Sequence, residues 1–197
     1  DVAHKNGVSV GTLMSIPFGN SVYLTSWRSD VYSRVLFRLT QKSGDKYLYA
    51  EPLVRMMKYY GINGIGFNSE FRTSSSVMTQ LSEFFVACHK EAEKLNWKFE
   101  VHWYDGTSDD GQIHFDGGLG YHNQKIFGDK DNIATDMLFA NYNWGPSHLS
   151  GSVSTAKRLG RSSFDYYAGF DIQGRGLRQA SWSALLDNDI SIGFWGA

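Results

Sequence analysis

Hydrophobic positions in this chain follow two periods. Val77, Leu81, Phe84, Phe85, Cys88, Ala92 and Leu95 recur at three- and four-residue spacing. That spacing predicts one long amphipathic helix, with Ser74, Ser75 and Ser76 placed to cap it. Shorter apolar runs, bounded by Gly, Asn or Asp, read as buried strands. They cover residues 7–14, 61–67, 98–104, 136–142, 164–171 and 190–195. Further helices are predicted over residues 31–39, capped by Ser29 or Asp30, and over 48–60, where Pro52 is tolerable near the start and Gly61 closes the end. Another turns Val153, Ala156 and Leu159 inward and ends at Gly160, and residues 181–187 make a short helical turn.

Strand followed by helix, repeated, implies a parallel sheet. Several strands end in polar or aromatic residues: Asn68 and Glu70, Tyr104 and Asp105, Asn141 and Asn143, Asp171 and Gln173. A (β/α) barrel collects its functional residues at those ends. An open doubly wound sheet would instead carry a Gly-rich first turn between strand and helix. Gly174-Arg175-Gly176 and Gly117-Gly118 lack that context. The predicted fold is therefore α/β, of TIM (β/α)8 type, in one domain spanning residues 1–197. A full barrel has eight strands; the chain supplies six, a partial barrel.

Composition narrows the class. The 197 residues are 42% hydrophobic, enough for a core. A net charge of -1 argues against nucleic acid or an anionic membrane as partner. No apolar run is long enough to span a membrane. Cys88, the single cysteine, permits no internal disulfide and falls on a helix's apolar face. The six histidines show no tight metal spacing; His114 and His122 share a loop with several aspartates, and no metal ligand is assigned there. Residues 105–132 form a long loop, and Phe115, Tyr121 and Phe127 within it favour an ordered lid. Aromatic residues make up 15% of the chain, many beside Asn, Asp and Gly. Aromatic faces beside hydrogen-bonding groups suit a sugar; the plain alternative is large core residues with polar tips.

The central strand carries the chemistry. Gly64, Gly66, Asn68 and Glu70 share one face by alternation, so two residues without side chains lie beneath an amide and a carboxyl. In a partly apolar pocket Glu70 suits a general acid. A two-carboxylate glycosidase needs a partner, for which Asp105 and Asp171 are candidates, although Asp105 points off the inward face by alternation. Asn68 offers a different route: an amide there can hold a substrate's own acetamido group as the nucleophile. The structural alternatives are a turn bond for Asn68, a helix cap for Glu70 and a bulge at the glycines.

These residues resemble a known family. Tyr59-Tyr60-Gly61-Ile62-Asn63-Gly64 with Phe67-Asn68-Ser69-Glu70, then His102-Trp103-Tyr104-Asp105, Asn141-Tyr142-Asn143-Trp144 and Tyr167-Ala168-Gly169-Phe170-Asp171-Ile172-Gln173 are similar to the endo-β-N-acetylglucosaminidases of glycoside hydrolase family 85. Ala3-His4-Lys5-Asn6-Gly7-Val8 with Gly11-Thr12 fits too. The resemblance implies a barrel enzyme that cleaves the chitobiose core of N-linked glycans through an oxazoline, without a cofactor. Its partners would be N-linked glycans and glycoproteins. It implies Glu70 as general acid/base and Asn68 as the residue orienting the acetamido group. Tyr104, His102, Trp103, Phe115, Asn141, Trp144, Asp171 and Gln173 would then bind the sugar. A bacterial member would be secreted or at the cell surface, a eukaryotic one cytoplasmic. Ser69 replaces a common Gln and Phe115 a common Trp, residues 18–27 fit poorly, and the family's first two strands have no counterpart. A chitinase-like enzyme would need an Asp-rich strand signature that is missing. A silent glycan-binding barrel would not need Glu70 beside Asn68.

Overall fold

The computed structural model describes residues 2–14, 29–176 and 181–196. The poorly fitting stretch 18–27 lies outside the described residues. Six strands form one sheet: β1 (Gly11–Met14), β2 (Gly64–Phe67), β3 (Glu100–Tyr104), β4 (Met137–Phe139), β5 (Tyr166–Asp171) and β6 (Ser191–Trp195). They lie in chain order, and every neighbouring pair is parallel. Among the described residues β1 and β6 each pair on one side only. Residues from all six strands line a single cavity, so the sheet curls into a trough. This is the expected partial barrel.

The helices lie outside. They are α1 (Ser29–Leu39), α2 (Ala50–Tyr60), α3 (Ser75–Lys94) and α4 (Pro146–Arg158), with shorter turns between. The Ser74 hydroxyl accepts from the Val77 N–H, which caps α3 as its sequence suggests. Gly61 ends α2 at φ 67°, a conformation that favours glycine. Leu81, Phe84, Phe85 and Cys88 of α3 are fully buried. They meet the outward residues of the sheet: Phe67 lies 5.0 Å from Phe85 and 5.7 Å from Trp103, ring centre to ring centre. Each such side chain stabilises the fold by about 1.5–3 kcal/mol through burial.

The inner face is filled differently. Phe139 extends from β4 across Gly169 of β5 and Gly193 of β6. A Cβ on Gly169 would come within 2.7 Å of the Phe139 ring, so that position needs glycine for close approach. Similarly, the His102 ring covers Gly64, where a Cβ would meet its Cε1 at 3.2 Å. The space expected above the glycines of β2 is thus partly occupied by His102.

Several boundaries differ from expectation: the first three strands start at Gly11, Gly64 and Glu100, two to four residues later than their apolar runs. β4 ends at Phe139, not at residue 142. β5 starts at Tyr166 because Ser163–Asp165 forms a 3-10 turn capped by the Ser162 hydroxyl. Gln124–Phe127 is a helical turn whose Phe127 is fully buried, so that residue belongs to the core and not to a lid. Buried Arg161 secures it, donating to the carbonyls of Phe127 at 2.8 Å and Thr135 at 3.0 Å. Its guanidinium also stacks over the Phe127 ring.

Candidate active site

The chain turns sharply where β2 ends. The Glu70 N–H donates to the Asn68 carbonyl at 3.1 Å, a turn tighter than a continued strand. Between them Ser69 is fully buried and points away from the cavity. Its hydroxyl donates to the Tyr104 carbonyl. Its own carbonyl accepts from the Thr107 hydroxyl at 2.7 Å, and that hydroxyl accepts from the Phe71 N–H at 3.0 Å. Gly106 lets the two segments approach: a Cβ there would stand 3.2 Å from the Ser69 carbonyl carbon and closer still to its oxygen. Ser69 is therefore a strap between the ends of β2 and β3.

This strap leaves Asn68 and Glu70 both lining a cavity of about 500 Å³ at the C-terminal ends of the strands. His102, Tyr104 and Asp171 line it as well. Burial raises the Glu70 carboxyl above its ordinary range. It also pushes the Tyr104 phenol up, with the Tyr142 and Glu70 charges adding to the effect. The Tyr104 hydroxyl is fixed by a 2.8 Å hydrogen bond from the Asn141 Nδ2. A proton on Glu70, an amide two residues away and a held phenol can serve one acetal centre together.

The other carboxylates are engaged elsewhere. Asp105 is buried and points outward: its Oδ2 accepts from the Gly117 N–H at 2.6 Å and its Oδ1 from Asn123 Nδ2 at 3.0 Å. Asp171 lines the cavity, but its Oδ1 accepts from the Gly174 N–H at 2.8 Å as a cap. Glu100 also faces inward, but it pairs in register with Gly64, at the far end of the strands from Glu70. Hydrogen bonds from His102 and Lys98 hold it down to about 2, against burial.

Several expected site residues stand differently. Trp103 borders the cavity, but it has no exposure: its side chain alternates outward with Val101 and packs on Phe67, Phe71 and Phe85. Trp144 donates from Nε1 to the Gly169 carbonyl at 2.8 Å and packs edge-on against outward Phe170, so it is a packing residue. Gln173 is exposed and lies against Gly196 beyond β6, outside the cavity lining. Asn141 acts through Tyr104. Phe115, in the long loop, is outside the cavity lining but packs beside it, with its ring 6.2 Å from Tyr104, whereas Tyr121 is 84% exposed and turned to solvent.

Tyr142 and Phe139 were not expected at the site, yet both line the cavity. Tyr142 is pushed up to about 12, chiefly by burial, with the Asp171 and Glu70 charges adding to it. Leu13, Phe194 and Trp195 close the cavity from the two edge strands. A depression of about 670 Å³ lies between α3 and the Gln124–Phe127 turn, on the outer surface away from the strand ends. In the lid, His114, Asp116 and His122 come together, with ligand atoms all within 4.8 Å of one another.

Comparison with known proteins identifies the family. The family model described as Glycosyl hydrolase family 85 matches residues 1–196. A cytosolic endo-beta-N-acetylglucosaminidase from Gallus gallus is 28% identical over 178 residues, 89% of this chain and 22% of that protein. One from Danio rerio is 27% identical over 177 residues, again 89% of the chain and 22% of the relative. The chain thus spans about a fifth of the length of these relatives. The crystal structure of the Endo-D glycoside hydrolase domain from Streptococcus pneumoniae superposes with a TM-score of 0.78 at 25% identity, covering 95% of this chain and 30% of that one.

Proposed function

The chain belongs to glycosyl hydrolase family 85, and from that premise we propose that it carries the catalytic centre of an endo-β-N-acetylglucosaminidase acting on N-linked glycans and glycoproteins. The bond cut is the β-1,4 link between the two N-acetylglucosamines of the chitobiose core. Asn68 orients the 2-acetamido group, whose carbonyl oxygen attacks the anomeric carbon. Glu70 protonates the departing oxygen. The ring closes as an oxazolinium ion that keeps the acetamido N–H, and Glu70, now a carboxylate, draws a proton from the water that opens it. Configuration is retained, because the anomeric carbon is displaced twice. Tyr104, held by Asn141, steadies the acetamido side of the sugar.

One observation carries this reading: Asn68 and Glu70 line the same cavity, while Asp105 and Asp171 are committed to backbone N–H groups. Burial raises the Glu70 carboxyl, the direction a proton donor needs. The cytosolic names of the vertebrate relatives support a cytoplasmic setting for a eukaryotic source. No helix among the described residues is long and apolar enough to cross a membrane.

The test uses the full-length protein and a defined N-glycopeptide, with products identified by mass spectrometry. The expected product is a peptide retaining one N-acetylglucosamine. Glu70→Gln should lower turnover by about 10²–10⁴-fold. Unchanged turnover in that variant, or a peptide stripped of both sugars, overturns the assignment.

A further inference from the structure

The lid carries a cluster that the hydrolytic reading does not use. His122 Nδ1 lies 3.1 Å from Asp116 Oδ1 and 3.2 Å from its Oδ2. Donor atoms around a tetrahedral zinc, at about 2.0–2.1 Å from the metal, stand roughly 3.3 Å apart, so this pair already has the spacing of two ligands on one ion. The His114 ring stacks on the His122 ring, with centres 4.4 Å apart and planes 20° from parallel. Asp110 Oδ2 lies 2.9 Å from His114 Nε2 and orients that ring, as carboxylates do for metal-bound imidazoles. With neutral imidazoles the three donors carry a net charge of about -1, and Asp110 beside them brings the cluster to about -2, which a divalent cation offsets. Two protonated imidazoles in that stack would repel each other instead.

The surroundings hold the cluster in place. Asp109, next to Asp110, accepts from the N–H groups of Lys125 and Ile126 at 2.8 and 2.9 Å. The Asp109 N–H donates to the His122 carbonyl at 2.6 Å. The two turns of the loop that bear the histidines are therefore already joined through the backbone. His114 and Asp116 bracket Phe115, a non-glycine residue at φ 53°, which costs conformational energy and needs external support.

We propose that His114, Asp116 and His122 form a divalent-cation site of zinc type, with Asp110 as the positioning carboxylate, that pins Phe115 at the rim of the cavity beside Tyr104. The sequence spacing assigned no metal ligand here; the loop's fold brings the donors together. The ion takes no part in bond cleavage. It fixes the lid segment, and it can be tested whether or not the hydrolytic assignment holds.

The experiment strips the full-length protein with EDTA, removes the chelator, and titrates zinc chloride by isothermal calorimetry alongside thermal unfolding. One equivalent should bind saturably and raise Tm. His122→Ala and Asp110→Asn should each weaken binding by about 10–100-fold. Tyr121→Ala, an exposed neighbour, should bind zinc as the wild type does. Circular dichroism should show every variant folded, since the substituted side chains lie at the surface. Absence of saturable heat and of a Tm shift overturns the site. So does wild-type affinity in a variant lacking both His114 and His122.

Discussion

The Oδ2 atom of Asp105 accepts a 2.6 Å hydrogen bond from the backbone N–H of Gly117. The same carboxylate accepts from Asn123 Nδ2 at 3.0 Å and from the Asn141 N–H at 3.4 Å. One buried group thus ties the end of β3 to the lid and to the segment after β4, which carries Asn141 to Tyr104. Asp105→Ala would leave buried donors without a partner. It should cost about 2–3 kcal/mol, measured by urea unfolding, and lower turnover through the loosened lid. A variant of wild-type stability would show that the carboxylate is no such knot.

Asp105 also sets a pH dependence. Burial pushes its carboxyl up to about 7, against the hydrogen bonds donated by Gly117, Asn141 and Asn123. Its unfolded value is near 3.9. The folded state therefore holds the proton more tightly than the unfolded one. This contribution to stability is full below about pH 4 and is lost as pH rises through about 7. Burial likewise pushes Asp109 up to about 6, so it acts in the same direction. Asp105→Asn should flatten the fall in stability between pH 5 and pH 7.5, read from denaturant midpoints. An equally steep fall in the variant would refute the linkage.

Glu70 should appear in two opposite pH limbs. Cleavage of glycopeptide needs its proton, and burial makes it hold that proton to higher pH than an ordinary glutamate. The rate should fall as pH rises through the Glu70 pKa. Hydrolysis of a sugar oxazoline needs the carboxylate, so its rate should rise through the same pKa. If both limbs bend the same way, or at unrelated values, Glu70 does not serve both steps.

Trp103 and Tyr104 are neighbours with opposite expected effects. Trp103→Ala removes a fully buried ring from the packing of β3 on α3 and should cost about 3–5 kcal/mol. Tyr104→Phe removes only the hydroxyl that Asn141 holds. It should leave the denaturation midpoint nearly unchanged and lower kcat. A stable Trp103→Ala protein with a raised KM would instead return Trp103 to the sugar site.

This pair also shows what the sequence made legible. Alternation along β3 sorts Glu100, His102 and Tyr104 from Val101 and Trp103; the whole-motif resemblance placed Trp103 at the site against that alternation. The order of strands and helices was readable, because each hydrophobic run is local. Tyr142 was not, because β4 stops at Phe139 and the following turn re-aims the chain. Nor was Phe139, whose ring is admitted by glycines on strands 30 and 54 positions later (169 − 139 and 193 − 139). The lid histidines are brought together by loop geometry, which carries no period. The sequence shows Ser69 only as a departure from the family's common Gln; its hydroxyl bond to the Tyr104 carbonyl can be seen only in three dimensions.

The separable roles of Asn68 and Glu70 give the decisive prediction. Asn68 is exposed at its strand end, so Asn68→Ala should fold normally. What it loses is the amide that holds the acetamido group at the anomeric carbon. Removing one preorganised polar partner of a developing charge costs about 10²–10³-fold in turnover, and glycopeptide hydrolysis should fall by that amount. A pre-formed sugar oxazoline has already passed the step that needs Asn68. With Glu70 intact, the variant should still process that donor at close to the wild-type rate. Glu70→Gln should fail on glycopeptide and also fail to activate water on the oxazoline. The measurement is product formation by each full-length variant from both donors. If Asn68→Ala cleaves glycopeptide at the normal rate, the acetamido group is not the nucleophile. The role then passes to Asp171, the remaining carboxylate in the cavity lining, whose bond to the Gly174 N–H would have to break for it to attack.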